Sequence, residues 1–493
     1  MAQAMDRKHE SVENIRCTDR DLGQAESLEP SQLPTIADED STTKIPEGGY
    51  GWVCVAACFG ISACTWGITV SYGVFLANYL ANNTYPGATP LQYAFIGGLS
   101  ISMSSIVGPL VTLGQRLTST RTVMFIGIFI LSTAFVTASF STKIWHLILT
   151  QGVLYGAGVG LVYSGCAGIV SQWFQKRRSL ANSITSSGVG IGGLIFSLSV
   201  RAVINRYGVP WAFRMLAICV FVICSICAML LRDRNIHVKP NQVAFDLKLL
   251  RRYEVCLLLL WAFFSELAYV SMLFSLSDFA TFRGLSVNQG ALLNAISCVG
   301  MSFGRPLIGF TSDAMGRMNV ALFATFCCSF ACFVIWIPST TIGPTMLFAI
   351  LAGMVGGTFW VVVSPLSVEV VGLKDLPSCL SLIWLSVAVP TTFSEPIALM
   401  LRRPGRSNPY LYPQLFSGFC FLGASTCSAL LRVWKIGSED KKKEERSRRG
   451  GEEAVEGEMG FEDWAQEVER RTGWKGLLDQ WKRGSKWWRY TAI

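Results

Sequence analysis

Three charged residues of this chain lie where charge is expensive. Residues 294–317, NAISCVGMSFGRPLIGFTSDAMGR, begin as an apolar run, carry a single arginine, Arg305, inside it, and end on Gly309, Asp313, Gly316 and Arg317. An ionisable side chain inside a membrane-length apolar segment normally faces a protein interior or a water-filled cavity. Its guanidinium presents a planar fork suited to a carboxylate; the plainer alternative is an arginine that snorkels to the interface or makes a structural ion pair. At ~1.5 Å of rise per residue, Arg305 lies ~12 Å from Asp313, and Glu266 lies ~18 Å into its own apolar run, so both fall near the middle of a membrane. Glu266 could carry a proton or serve as a fixed partner for Arg305, and both readings stay open. Glu395 stands between Pro390 and Pro396, which suggests a bend and a gating position.

Around these charges the apolar runs hold Trp66, Thr69, Tyr72, Tyr155 and Tyr163 early in the chain, and Trp360 and Trp384 late in it. Aromatic residues in helices more often pack than bind. Taken with Arg305, however, Trp66, Tyr72, Tyr155 and Trp360 would line a wide aromatic pocket with one cationic side. Such a pocket suits a larger organic acid better than lactate.

The elements that must position these residues are helices in a bilayer. Of 493 residues, 51% are hydrophobic and only 15% charged, against about 25% charged in soluble domains; mean hydropathy is +0.41. The apolar residues fall in blocks of about 20, the length of a membrane-spanning helix. Twelve spans are expected, at 50–79, 91–113, 121–141, 145–170, 179–200, 210–231, 254–277, 289–312, 319–338, 344–367, 376–401 and 411–434. This predicts an all-α integral membrane protein with a disordered lead at 1–45, a six-helix bundle at 46–231, a joint at 232–253, a second six-helix bundle at 254–434 and a charged tail at 435–493. Two sixes suggest a duplicated fold.

The net charge of +9 does not point to nucleic acid, because the basic residues sit mainly in short joints and in the tail. Arg116, Arg121, Lys176, Arg177, Arg178, Arg317 and Lys374 load one set of joints, and the positive-inside bias then places both termini in the cytosol. The cluster Arg402, Arg403 and Arg406 on the other side weakens that bias without reversing it. Asn82 opens a glycosylation sequon on the outer side, close to the bilayer. Fifteen of the sixteen cysteines lie in apolar blocks, where a thiol acts as a small hydrophobe. Cys224 and Cys227 are CxxC-spaced, but inside an apolar helix. The tail carries Trp464, Trp474, Trp481, Trp487 and Trp488 and reads either as a membrane-surface helix or as a solvated segment. No phosphate-binding loop, metal-ligand cluster or nucleophile–base pair is spaced for use, so no cofactor, metal or enzymatic activity is expected.

Three motifs sharpen this reading. Gly309-x-x-x-Asp313-x-x-Gly316-Arg317 resembles the GxxxDxxGR signature of major facilitator transporters. The equivalent joint after the second span keeps Gly114, Arg116 and Arg121 but lacks the acid. Glu47-Gly48-Gly49-Tyr50-Gly51-Trp52 looks like the opening of helix 1 in the monocarboxylate porter (monocarboxylate transporter-like) family. Trp173-Phe174-Gln175-Lys176-Arg177-Arg178-Ser179-Leu180-Ala181 is similar to that family's motif at helix 5. The resemblance covers residues 46–434. It implies the major facilitator fold and secondary transport of a monocarboxylate or larger organic acid by alternating access, with Arg305-Pro306 matching the pair associated with the substrate carboxylate. The sequence departs from proton-coupled members at Met301 and Val70, where they carry an aspartate and a lysine. Proton coupling therefore rests on another group, with Glu266 the best substitute and Glu395 the next, or is absent. The plasma membrane is the default location. Expected partners are a small-molecule substrate, the bilayer and, where coupling holds, protons; an accessory subunit is unassigned. Two rival readings remain: an exporter of a bulky metabolite, and a non-transporting sensor or scaffold acting through its Trp-rich tail.

Overall fold

A backbone segment in lipid must satisfy its own N–H and C=O groups, which leaves the helix as the economical solution for each apolar block. The computed structural model describes residues 47–82, 84–85, 87–235, 243, 245–282, 287–403 and 408–452. The lead at 1–45, the Trp-rich part of the tail beyond 452, and Asn83 of the sequon lie outside the described residues. The body described lies within Ile45–Ile493.

Twelve long helices are present among the described residues: α1 (Gly51–Tyr79), α2 (Leu91–Leu117), α3 (Thr120–Ala138), α4 (Ile144–Trp173), α5 (Arg178–Tyr207), α6 (Val209–Leu230), α7 (Tyr253–Phe282), α8 (Val287–Met315), α9 (Arg317–Trp336), α10 (Ile342–Val371), α11 (Leu376–Leu401) and α12 (Leu411–Glu452). Eleven of these are long and apolar enough to cross a membrane. The twelfth, α8, has the length, at 29 residues, but its apolar character is diluted by Asn294, Ser297, Ser302 and Arg305. Among the described residues there is no β-strand. The expected spans agree closely except at the end, where α12 continues as one helix from Leu411 to Glu452 rather than stopping near residue 434.

Local chemistry sets the ends. Thr89 and Gln92 form a reciprocal capping box at the start of α2 with Pro90 in its first turn, satisfying donors that the helix leaves free. Ser119 accepts from the Thr122 N–H and starts α3. Between α8 and α9 the chain turns on Gly316 with φ +94°, a conformation that a Cβ would strain. Inside the spans, π-helical stretches occupy Ala63–Gly67 of α1, Ile148–Leu154 of α4 and Cys332–Trp336 of α9.

The buried apolar side chains form two main cores, one drawn from residues 54–231 and one mainly from residues 249–431. The joint between them is tied at both ends. Thr120 donates to Asp233 (2.7 Å) and Arg121 to the Leu231 carbonyl, while Arg252 reaches Glu254 (2.8 Å) and the Val370 carbonyl. The two family motifs also meet. Glu47 accepts hydrogen bonds from the backbone N–H groups of Gln175 (3.0 Å) and Lys176 (2.7 Å), and Trp52 packs edge-on to Phe174 at 5.0 Å. They form a clasp between the start of α1 and the start of α5.

The glycine stripe of α5 serves two neighbours. Gly188 and Gly192 lie against the Phe59 and Ala63 carbonyls of α1, and Gly190 against Cys298 and Ser302 of α8. Small residues permit this close approach. A Cβ placed on Gly67 would come within 2.8 Å of the Gly192 backbone. Overpacking such a contact costs about 1–3 kcal/mol. Gly67→Val should therefore lower the thermal unfolding midpoint in detergent by several degrees. Gly73→Ala, with nothing within 4 Å of the new methyl, should leave that midpoint unchanged or raise it slightly.

Candidate functional site

Arg305 is 1% exposed and lies between the two halves. Its Nη1 donates to the carbonyl (2.8 Å) and hydroxyl (2.9 Å) of Ser186 on α5, and Nη2 lies 3.5 Å from the Tyr269 hydroxyl on α7, while Nε has no partner. Room for the guanidinium comes from Gly357, where α10 is interrupted: a Cβ there would stand 2.7 Å from Nη2. Glu266, also 1% exposed, lies beside the indole of Trp360 on α10. Glu266 and Arg305 lie within each other's electrostatic reach but make no contact ion pair. The charge that α8 brings into the interior is thus held by a carbonyl and two hydroxyls, with no carboxylate in contact.

An aromatic box adjoins this pair. Trp66 of α1 meets Trp360 of α10 at 4.6 Å between ring centroids, and Tyr163 of α4 at 5.6 Å. Tyr163 reaches Trp360 (6.0 Å) and Trp384 of α11 (6.2 Å), and Trp360 stacks on Trp384 at 5.6 Å with planes 24° apart. Trp66 stands on the π-helical stretch of α1. Trp384 fits against Gly108, where α2 is interrupted.

At the Arg317 end of the helices the halves are bolted together. Asp313 accepts from the Ser179 N–H (3.0 Å) and the Leu180 N–H (2.8 Å), the free donors at the start of α5, where a carboxylate also suits the helix dipole. Arg317 donates to Glu369 (3.0 Å), the Gln175 carbonyl (3.0 Å) and the Ser179 hydroxyl (3.1 Å). Gly309 leaves space for Ser183 and the Ser179 carbonyl. Ser171 and Ser364 share a hydrogen bond (2.8 Å), and Asn182 donates to the Val361 carbonyl (2.8 Å).

Comparison with known proteins bears directly on this arrangement. The family model described as Major Facilitator Superfamily matches residues 50–394. The chain belongs to the major facilitator superfamily. It is 32% identical over 403 residues to the probable transporter MCH2 of Saccharomyces cerevisiae, covering 80% of this chain and 85% of that one. It is 28% identical over 437 residues to human monocarboxylate transporter 12, covering 80% and 83%. Its fold matches that of the proton:xylose symporter XylE with a TM-score of 0.60 at 12% identity, over 79% of this chain and 95% of that chain. This family and fold are those of integral membrane transporters, not enzymes.

In this major facilitator protein the aromatic residues expected around Arg305 divide into two groups. Trp66 and Trp360 join the central box, with Tyr163 and Trp384. Tyr72 and Tyr155 instead line a separate small cavity in the first half, with Thr69, Ser100 and Gln151. There the Tyr155 hydroxyl bonds to Thr65 and Thr69, and the Tyr72 hydroxyl donates to the Tyr93 carbonyl. Glu395 is half-buried near Tyr72, and α11 is unbroken through Pro390 and Pro396. Asn82 is exposed at the end of the first helix. Sequence reasoning missed Tyr269, Gly357, Gln151 and Glu369. Only Gly357, doubled with Gly356 inside an apolar span, advertised itself.

Removing Asp313 leaves two donors at the start of α5 unsatisfied, and hydrogen bonds to charged groups are worth about 1.5–3 kcal/mol each. Asp313→Ala should lower the melting midpoint of the purified transporter and speed maleimide labelling of a Ser364→Cys reporter. Asp313→Asn, which keeps one acceptor, should fall between the two.

Proposed function

We propose that this transporter carries an organic acid across its membrane by alternating access, with Arg305 as the seat of the substrate carboxylate and Glu266 as the proton carrier. The observation that carries this reading is a buried arginine between the two halves with no carboxylate in contact and an unpartnered Nε. A guanidinium fork binds a carboxylate bidentately, so a substrate anion would supply the missing counter-charge and compete with Ser186 for the Nη1 donor. Engaging the anion would loosen a contact between α8 and α5. That gives the ligand a differential interaction with the two states, as any ligand-driven shift requires. Glu266, buried within electrostatic reach of this arginine and beside Trp360, would take up or release a proton as the anion arrives. The name of human monocarboxylate transporter 12 agrees with an acid as cargo. In this reading Trp66 and Trp360 wall the site, and Asp313 and Arg317 hold its inner gate. Both termini face the cytosol, and the membrane is the plasma membrane.

The test is uptake and efflux of labelled organic acids in proteoliposomes, with and without a pH gradient. Arg305→Ala should cut saturable flux by about tenfold to a hundredfold, the worth of one charge-assisted pair, and Arg305→Lys, which keeps the charge without the fork, should fall between. Glu266→Gln should abolish accumulation driven by a pH gradient while leaving exchange of labelled for unlabelled acid. Normal flux in both variants would overturn the assignment of the site. No flux of any acid by folded wild type would favour a sensor or scaffold, for which truncation after Glu452 should then remove the output.

A further inference from the structure

We propose that the acid carried is planar and aromatic, and that its ring takes the place of the Trp66–Trp360 contact when the two halves part. The proposal rests on the reading of Arg305 as the carboxylate seat. Most ring pairs among the described residues lie inside one half. Phe75 stacks on Phe213 at 4.7 Å with planes 5° apart, and Trp336 on Phe348 at 4.8 Å with planes 15° apart. These need never separate. The central box is different, because Trp66 and Tyr163 come from the first half and Trp360 and Trp384 from the second. Any motion that opens the interface must pull these rings apart.

Parted rings expose broad apolar faces, and the indole N–H of Trp66 is already buried without an acceptor. A flat ring system inserted between them restores contact on both faces, whereas a saturated ring of the same carbon skeleton is thicker and has no π face to offer. The charged end of such a ligand is accounted for as well. Gly357, against which the Arg305 guanidinium packs, lies three residues before Trp360 on α10, and Tyr163 of the box is within electrostatic reach of Arg305. A carboxylate on Arg305 is therefore held beside the box, with its attached ring able to enter between Trp66 and Trp360. Trp66 belongs to a π-helical stretch, a distortion that recurs at functional sites. The ring contact and the anion contact together tie opening of the interface to one ligand shape.

The probes are 2-naphthoate and its fully saturated analogue decahydro-2-naphthoate, matched in charge and skeleton. Their binding would be measured by calorimetry on the purified full-length protein and their uptake in proteoliposomes. Wild type should bind naphthoate about tenfold or more tightly than the saturated acid, the worth of stacking on two faces. Trp66→Leu and Trp360→Leu should erase that preference by weakening naphthoate about tenfold more than the saturated acid, and Trp66→Phe should retain most of it. Equal wild-type affinities would overturn the proposal. So would Leu variants that weaken both acids alike, because the box would then be packing. The wild-type comparison needs no variant, so a misfolded mutant leaves the test intact. If short aliphatic acids move and depend on Arg305 while naphthoate fails to bind, the aromatic inference fails and the organic-acid reading stands. If no carboxylate binds and Arg305→Ala changes nothing, that reading itself has failed.

Discussion

A guanidinium cannot be left alone in a low-dielectric interior, and much of the central architecture follows from housing this one. Arg305 sets a charge inside the apolar run of α8 and ties it to α5, whose Ser186 supplies both a carbonyl and a hydroxyl. The close approach this needs is met by glycine on both partners, Gly190 of α5 and Gly309 of α8. The same charge leaves its mark on α10, which breaks at Gly357 where a side chain would collide with the guanidinium. Because Ser186 belongs to one half and Arg305 to the other, the cost of burying the charge is met by the interface itself. On the proposed alternating-access cycle, the most demanding solvation problem thus sits on the surface that would open.

Much of this was legible in the sequence. The spans stand out because lipid demands long apolar blocks, and Arg305 stands out because charge is rare within them. Two short motifs, Glu47–Trp52 and Trp173–Ala181, announce themselves by residue type, and the structure explains why they occur together. Each completes the other's hydrogen bonds and ring contacts. Glu369 was not legible, since an acid near a helix end looks like ordinary surface until Arg317 is seen beside it.

The grouping of aromatic residues was misread for a more interesting reason. Assigning Trp66, Tyr72 and Tyr155 to one pocket assumes that helical spacing runs undisturbed along α1 and α4. Each carries a π-helical stretch, and an extra residue per turn rotates everything beyond it by about 100°. Thr69 and Tyr72, which follow the stretch in α1, and Tyr155, which follows the one in α4, are carried into the interior of the first half, where the Tyr155 hydroxyl meets the Thr69 hydroxyl and the Thr65 carbonyl and Tyr72 donates to the Tyr93 carbonyl. Periodicity read from the sequence cannot anticipate such a slip, because no residue type marks it.

The continuity of α12 gives the second half a rigid outrigger. Ile436 is the last of its described side chains that is buried, yet the same helix runs on to Glu452, roughly 25 Å further at the helical rise. A rod of that length turns rotation into displacement: each degree of tilt in the second bundle sweeps its tip through about 0.4 Å. The far end of α12 is thereby a pointer whose position reports which way the bundle leans, at a distance from the bilayer where soluble proteins could read it.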